Sequence, residues 1–424
     1  DSRDLDQLTV AEAISPTQTR IRVAIADVDV LVHRGSAIDQ RAAMHTTSVY
    51  TAAAVFPMLP ERLSTDLTSL DQGQDRAALV VEFTVREDGS VTAAAVVPAL
   101  VRNHAQLAYS TVGEWLDGDA PAPPRVLSTP GLADNLRLQD VVAQSLRRRR
   151  HARGALTLNT RQSRAVFQGD ALEAVTEDHP NRAKELIEEF MIAANAATAA
   201  TFVERRVPSL RRAVRVPKRW DRIVALAAGT GTELPATPDS ESLSAWLRVR
   251  QTADPEGFAD LSLSVVKLIG RGEYVVQDPD TPAVGHFGLA VQEYTHATAP
   301  NRRFADLVTQ RLLKSSLQNN PAPYARAELE AIAARCNDRA AAAEKVERHV
   351  QKSAAALLLS ERVGERFEAL VTGVNKTGTW VRLQEPAVEG RLETGFDNLD
   401  VGDRVRVRLV RTDVRRGFLD FARA

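Results

Sequence analysis

The sequence predicts an α/β (α+β) domain over residues 1–361, followed by a small all-β barrel of the OB type over residues 362–424. Three observations carry this reading. Buried-strand patterns such as "RIRVAIADVDVLV" are interleaved with helical stretches in the larger part of the chain. Those stretches include long alanine-rich runs with an apolar face. From Val363 the helical composition stops, and five short alternating segments with glycine-bearing turns take over: "RFEALVTGV", "TWVRL", "VEGRLE", "RVRVRLV" and "GFLDFA".

The elements follow in order. Residues 20–32 read as one buried strand. In "AALVVEFTVREDGSVTAAAVVPALV" two strands flank "REDGS", a hairpin turn signal. Between these regions "PMLPERLSTDLTSL" is punctuated by prolines and offers Ser64 as a helix cap. A proline-rich loop, "APAPPRVLSTPG", precedes a helical run ending in "SLRRRRHARG". Arg182 to Arg205 form a long helix, a basic stretch "RRVPSLRRAVRVPKRW" follows it, and "PATPDSESLSAWL" restarts a helix after a turn. Two more helices are expected at "PNRRFADLVTQRLLKSSL" and from about Ala325 to Glu361.

Composition narrows the function classes. With 424 residues, 44% hydrophobic and 26% charged, the chain has ample core for more than one domain. Cys336 is the single cysteine, so disulfides cannot brace the fold, and a reducing, cytoplasmic setting is expected. No signal peptide is visible and no apolar run reads as a membrane span, so no membrane partner is expected. No phosphate-cradling glycine loop, zinc-type Cys/His spacing or Ser-His-Asp context is present, and no organic cofactor is expected. The formal net charge of −1 hides strong local asymmetry.

Three features could carry chemistry. Asp1, Asp4 and Asp6 crowd the first six residues. On an extended segment Asp4 and Asp6 point to one side, an arrangement suited to a hard cation such as Mg²⁺, although a solvated acidic end has the same spacing. In "YTHATAPNRRFADL", Pro300 is placed for a first helical turn that contains Asn301, Arg302 and Arg303. That is either a phosphate site or a surface ion pair with Asp306. Basic runs form the third feature: Arg147 to Arg150, the eight Lys or Arg residues from Arg205 to Arg222, and Arg404, Arg406 and Arg408 sharing one face of a strand. Together they read as a track for a polyanion. By themselves Glu188 and Glu347 read as helix surface, and His286 and His296 as structural.

Read in order, "SRDLDQL", "VAIADV", "TSVYTAAAVFPMLPERLSTDLTSL", "LIEEFMIAAN", "GHFGLA" and "YTHATAPNRRFADLVTQRLLK" resemble the RNB family of ribonucleases, that of ribonuclease II and ribonuclease R. The resemblance covers essentially the whole chain. It implies an RNB-type catalytic domain with an RNA-binding OB domain behind it, in a minimal form without the cold-shock-type barrels that usually come first. It also implies Mg²⁺-assisted 3′→5′ hydrolysis of single-stranded RNA to nucleoside 5′-monophosphates. Position by position, Asp4 and Asp6 match the acidic, metal-holding motif, and Arg302 matches the arginine on the scissile phosphate. Tyr50 matches the aromatic that packs on the RNA end. Glu188 matches the glutamate on the terminal nucleotides, and Tyr109, Arg303 and Glu347 match further pocket positions. Three departures accompany the match. Gln7 replaces the last aspartate of the motif, the family's first aspartate falls six residues before Asp4, and Leu158 stands where a clamping phenylalanine is usual. The departures keep a second reading open, that of a catalytically impaired RNA-binding protein on an RNB scaffold.

Overall fold

The computed structural model of the chain describes residues 4–51, 54–159, 181–255, 257–399 and 403–424 in full, and residues 162–168 and 171–178 as backbone. Two strands open the fold, β1 (Gln7–Ser15) and β2 (Gln18–Ala26), paired as a hairpin with Gln7 opposite Ile25. Helix α1 (Ala37–His45) is capped by Ser36. A short hairpin, β3 (Val49–Tyr50) and β4 (Val55–Phe56), leads to the long strands β5 (Asp75–Arg86) and β6 (Val91–Arg102). The main sheet has the antiparallel order β1-β2-β5-β6. Period-two alternation gives it a core face, with Ile21, Val23, Ile25, Leu79, Val81 and Phe83 buried together. The opposite face carries Glu12, Arg20, Arg22 and Glu82 in a ladder of ion pairs 2.7–3.3 Å long.

Three expectations are corrected here. The strand expected over 20–32 stops at Ala26 and gives way to a 3-10 turn, Val28–Val30, because Asp27 and Asp29 turn away to meet cations. β1 completes the hairpin and was hidden by its many polar residues. Ser64 caps nothing. The helical turn begins at Glu61, directly behind Pro60, and Ser64 is buried inside it with its hydroxyl donating to the Leu59 carbonyl. The "REDGS" turn forms as expected. Gly89 there has φ +78°, and a Cβ on it would lie 2.3 Å from the Ser145 carbonyl oxygen, so both turn and packing require glycine.

Helices α2 (Tyr109–Asp117), α3 (Pro124–Ser128) and α4 (Leu132–Ala152) precede the hairpin β7 (Gln162–Gln168) and β8 (Ala171–Asp178). Helix α5 (Arg182–Glu204) starts at an Asn181 cap and runs through the core, with Phe190 edge-on to Phe83 at 6.5 Å. By length and composition α5 passes for a membrane span, contrary to the sequence expectation, but more than half of its apolar window is buried in the protein. Strands β9 (Ser209–Ala213) and β10 (Glu273–Gln277) pair antiparallel. Between them α6 (Trp220–Ala228), α7 (Ser240–Ala253) and α8 (Phe258–Ile269) close a satellite core around Trp220, Trp246 and Phe258.

Helices α9 (Phe304–Leu317) and α10 (Arg326–Leu358) finish the larger domain. The tail is a closed barrel of β11 (Arg366–Asn375), β12 (Gly378–Leu383), β13 (Glu389–Thr394), β14 (Arg404–Asp413) and β15 (Phe418–Arg423), in the order β11-β12-β13-β15-β14. Phe367 lies in the barrel core, which extends onto Ala355, Ala356 and Leu359 at the end of α10.

One buried charge node joins α9 to the sheet. Arg311, 3% exposed, donates to Asp29 (2.8 Å), Asp39 (2.7 Å), the Tyr324 hydroxyl (2.8 Å) and the Val32 carbonyl (2.5 Å). Lys314 bridges Asp27 and Asp29 at 3.1 and 3.0 Å. Removing the guanidinium leaves the buried Asp39 without its ionic partner and Asp29 with Lys314 alone. Arg311→Met is therefore expected to cost about 3–5 kcal/mol in urea unfolding. A loss under 1 kcal/mol would mean that the node is not the join described here.

Candidate active site

The site is assembled where the chain start meets the segment before α9. The 302–304 segment is stitched to residues 46–48: Ser48 N–H donates to the Arg302 carbonyl (2.9 Å) and Phe304 N–H to the Thr46 carbonyl (2.8 Å). Ala26 N–H holds the Asp6 carbonyl at 2.9 Å. These backbone bonds bring Asp6, Tyr50 and Arg302 together from three distant parts of the sequence.

Helix α9 starts at Phe304, four residues later than Pro300 suggested, because Arg303 is extended at φ −134°, ψ 120°. Arg302 and Arg303 therefore precede the helix. The expected alternatives for this segment divide between them. Arg303 pairs with Asp306 at 2.7 Å, but as a buried pair instead of a surface one, with Asp306 fully buried. Arg302 turns the other way and donates from Nε to Asp6 Oδ2 at 2.8 Å, and Asn301 N–H approaches Asp6 Oδ1 at 3.4 Å. Asp6 is 5% exposed. Burial pushes its carboxyl up to about 6, while Arg302 pulls in the other direction.

Tyr50 is held at both ends. Its hydroxyl donates to Asp4 Oδ2 at 2.6 Å, and its backbone N–H donates to Glu347 Oε1 on α10 at 2.9 Å. Tyr50 as a residue is 39% exposed. Burial, together with the neighbouring Asp4 carboxylate, raises the Tyr50 phenol well above its ordinary range and keeps it protonated. Tyr109, the first residue of α2, stands within electrostatic reach of Arg302 and Asp6.

A cleft of about 260 Å³ opens beside this group, lined by Gln7, Glu188, Arg302 and Arg303 together with Asn195, Tyr294 and His296. Glu188 is brought in on α5 and Glu347 on α10, so both helix-surface residues reach the site. Leu158 packs with Leu156, Trp220 and Phe287 in the satellite core. Sequence reasoning missed Asn195, Tyr294 and His296 as cleft residues. Only the side of α5 shared by Glu188 and Asn195 hinted at the first of them. Asp1 lies outside the described residues.

For a hard cation, the described residues hold no cluster of three or more His, Cys, Asp and Glu side chains. Asp4 and Asp6 supply two carboxylates, and the Gln7 amide oxygen is buried without a hydrogen-bond partner, a third oxygen in want of a positive group. Two carboxylates and an amide oxygen do not make an all-protein cage, but they fit Mg²⁺, which keeps waters and takes substrate oxygens.

The basic runs divide. Arg147 pairs with Glu185, Arg149 with Asp88, and Arg150 with Glu189. Arg206 pairs with Asp280, Arg211 with Glu293, and Arg215 with Glu273. These six arginines are braces, which removes half of the twelve basic residues of those two runs from the expected track. The barrel differs. Arg404, Arg406 and Arg408 all point outward from β14, and Arg408 lies directly opposite Arg366 of β11. Like charges in that register repel, and Glu368 answers only Arg406, at 2.7 Å. A groove of about 750 Å³ near the end of α10 adds His349, Arg415, Arg416 and Phe418.

A model of the RNB domain matches residues 1–319, and a model of the RNase II-type exonuclease C-terminal S1 domain matches residues 365–424. Ribonuclease R of Escherichia coli (strain K12) is 29% identical over 458 residues, covering 100% of this chain and 55% of its own. Ribonuclease R of Thermotoga maritima is also 29% identical, over 99% of this chain and 62% of its own. The chain thus spans little more than half the length of these relatives. Mycoplasma genitalium RNase R in complex with ribose methylated single-stranded RNA superposes with a TM-score of 0.90 at 24% identity, over all of this chain and 69% of that one. Yeast Ssd1, a pseudonuclease, superposes at 0.72 with 19% identity, over 97% of this chain and 49% of that one.

The Asp6–Arg302 pair yields a stability test. In EDTA, Arg302→Met leaves a buried carboxylate without its guanidinium and lowers the urea midpoint, and adding Asp6→Asn restores most of the loss. The expected coupling is about 1–3 kcal/mol. Additive single effects would show that the two groups do not interact.

Proposed function

Because this chain belongs to the RNB family, we propose that it is a hydrolytic exoribonuclease that shortens single-stranded RNA from the 3′ end and releases nucleoside 5′-monophosphates with Mg²⁺. The observation that carries the reading is the buried Asp6 carboxylate paired with Arg302 at 2.8 Å, with Arg302 lining a cleft of about 260 Å³ and Tyr50 exposed beside it. A binder has no physical need to bury a carboxylate next to the group that would meet phosphate, because that carboxylate opposes the binding of an anion.

Asp4, Asp6 and Gln7 would hold the magnesium ion. When bound, the ion lowers the pKa of a coordinated water and offsets charge on the phosphoryl oxygens. The chain's own groups do the rest. Arg302 spends one donor on Asp6, and its guanidinium has further N–H groups for a non-bridging oxygen of the scissile phosphate. The Tyr50 ring, clamped by Asp4 and Glu347, stacks on the terminal base. Tyr109, Glu188 and Arg303 bound the space for the last nucleotides. A cleft this small admits a single strand and leaves a duplex end outside. The guanidinium face of β11 and β14 meets the rest of the strand. The single, buried Cys336 is compatible with a cytoplasmic setting.

A second reading, an RNA binder with impaired chemistry, is favoured by Gln7, whose neutral amide replaces a carboxylate in the acidic motif. One assay separates the two: 5′-labelled single-stranded RNA with Mg²⁺ or EDTA. A ladder shortening from the 3′ end is expected, lost in EDTA and in Asp6→Asn, with Arg302→Ala reducing kcat/KM by about 10²–10³-fold. RNA that is bound but intact in Mg²⁺ would establish the binder instead.

The barrel face gives an independent prediction. Arg404→Ala with Arg408→Ala removes two phosphate contacts and should reduce the slope of log affinity against log salt for a long single strand by about 1.4. An unchanged slope would exclude that face.

A further inference from the structure

The mechanism above leaves one wall of the cleft unused. Tyr294 and His296 line it, and His286, Tyr294, His296 and Tyr274 meet edge to face with centroid separations of 5.5, 5.8 and 5.6 Å. The wall is fixed from behind. Asn337 of α10 accepts from the Tyr274 backbone N–H at 2.7 Å and donates to the Tyr274 carbonyl at 2.9 Å. Asn195 donates to the Tyr294 hydroxyl at 3.3 Å and accepts from Ala297 N–H at 2.9 Å. Rings held this closely by backbone and amide groups present a set surface to the cleft.

Within the wall, the Tyr274 hydroxyl and His296 Nδ1 are 2.9 Å apart. Tyr274 is buried, and burial raises its phenol far above the ordinary range, so it keeps a proton that it can give to Nδ1. With Nδ1 as the acceptor the imidazole proton sits on Nε2, the tautomer on which the inference is built. Burial, and the guanidinium groups of Arg303, Arg212 and Arg302 near the ring, depress the His296 pKa well below its usual value. The residue is a neutral imidazole at any working pH and is not a general acid or base.

We propose that His296 is a specificity-determining residue whose Nε2–H donates to the 2′-hydroxyl of the 3′-terminal nucleotide. The inference rests on the exoribonuclease reading of the cleft. Phosphate oxygens there have the guanidinium of Arg302. A hydroxyl both gives and accepts, and it is matched by a neutral N–H on one side and the Glu188 carboxylate lining the same cleft. A deoxyribose end leaves that donor unanswered, which is how a site built for a hydroxyl rejects its absence.

The test crosses residue with substrate. The full chain and its His296→Phe, His296→Gln and Tyr274→Phe variants are given two RNAs that differ only in a 2′-deoxy 3′-terminal nucleotide. kcat and KM are measured in Mg²⁺, and affinity in EDTA. Loss of one hydrogen bond predicts a roughly tenfold fall in kcat/KM and in affinity for the all-ribose RNA with His296→Phe. The 2′-deoxy substrate should change less than twofold. His296→Gln keeps an N–H at the same reach and should recover most of the loss, and Tyr274→Phe should show a smaller loss with the same substrate dependence. Imidazole ¹⁵N shifts should report Nε2–H and no titration between pH 5.5 and 8. Equal losses on both RNAs, or an Nδ1–H tautomer, would overturn the assignment. A chain that binds RNA and leaves it intact sinks the hydrolase reading alone, because the affinity arm still reads the hydroxyl.

Discussion

A carboxylate cannot be buried alone, and Asp6 finds its counter-charge in Arg302, 296 residues along the chain. Everything near the cleft is arranged by that requirement. Arg302 reaches Asp6 only because the turn before α9 is laced to residues 46–48, and the same lacing delivers Tyr50 beside Asp4. The start of the chain, one hairpin and one helix entrance become a single constellation. The buried carboxylate is already paired before any ligand arrives. A phosphate or a cation entering the cleft exchanges one ionic partner for another, without having to desolvate a bare charge.

The arginines illustrate how little a charge run says without a fold. Four in a row at 147–150 look like a polyanion site, yet α4 lies against α5, and the carboxylates of Glu185 and Glu189 lie within reach. The opposite holds on the barrel. There the alternation of β14 leaves valines and a leucine inward and arginines outward, in register with another arginine on β11. Local pattern determined which way those side chains point, and nothing but a negative partner relieves the repulsion.

The same distinction governs what was legible in the sequence. The "REDGS" hairpin, α5, α10 and the barrel strands were legible because periodicity and turn chemistry are local signals. β1 was not, since one charged residue, Glu12, interrupts its apolar pattern to answer Arg20 and Arg22 on a charged sheet face. The entrance to α9 was misplaced because tertiary bonds at 302–304 overrode a proline cue. Of the candidate site, Asp4, Asp6, Tyr50 and Arg302 were legible through family resemblance. Glu347 looked like any helix surface until α10 was seen to cross behind Tyr50. His296 had no sequence signal, because its hydrogen-bond partner, Tyr274, lies 22 residues earlier on β10.

Helix α10 holds all these parts to one ruler. Over 33 residues, about 50 Å, it secures Tyr274 through Asn337, Tyr50 through Glu347, and the barrel core through Ala355 and Leu359. Inserting or deleting one residue between Asn337 and Glu347 would turn everything beyond it by about 100° and swing Glu347 off its target. The residue count of this helix between its two contacts is thereby a dimension of the cleft.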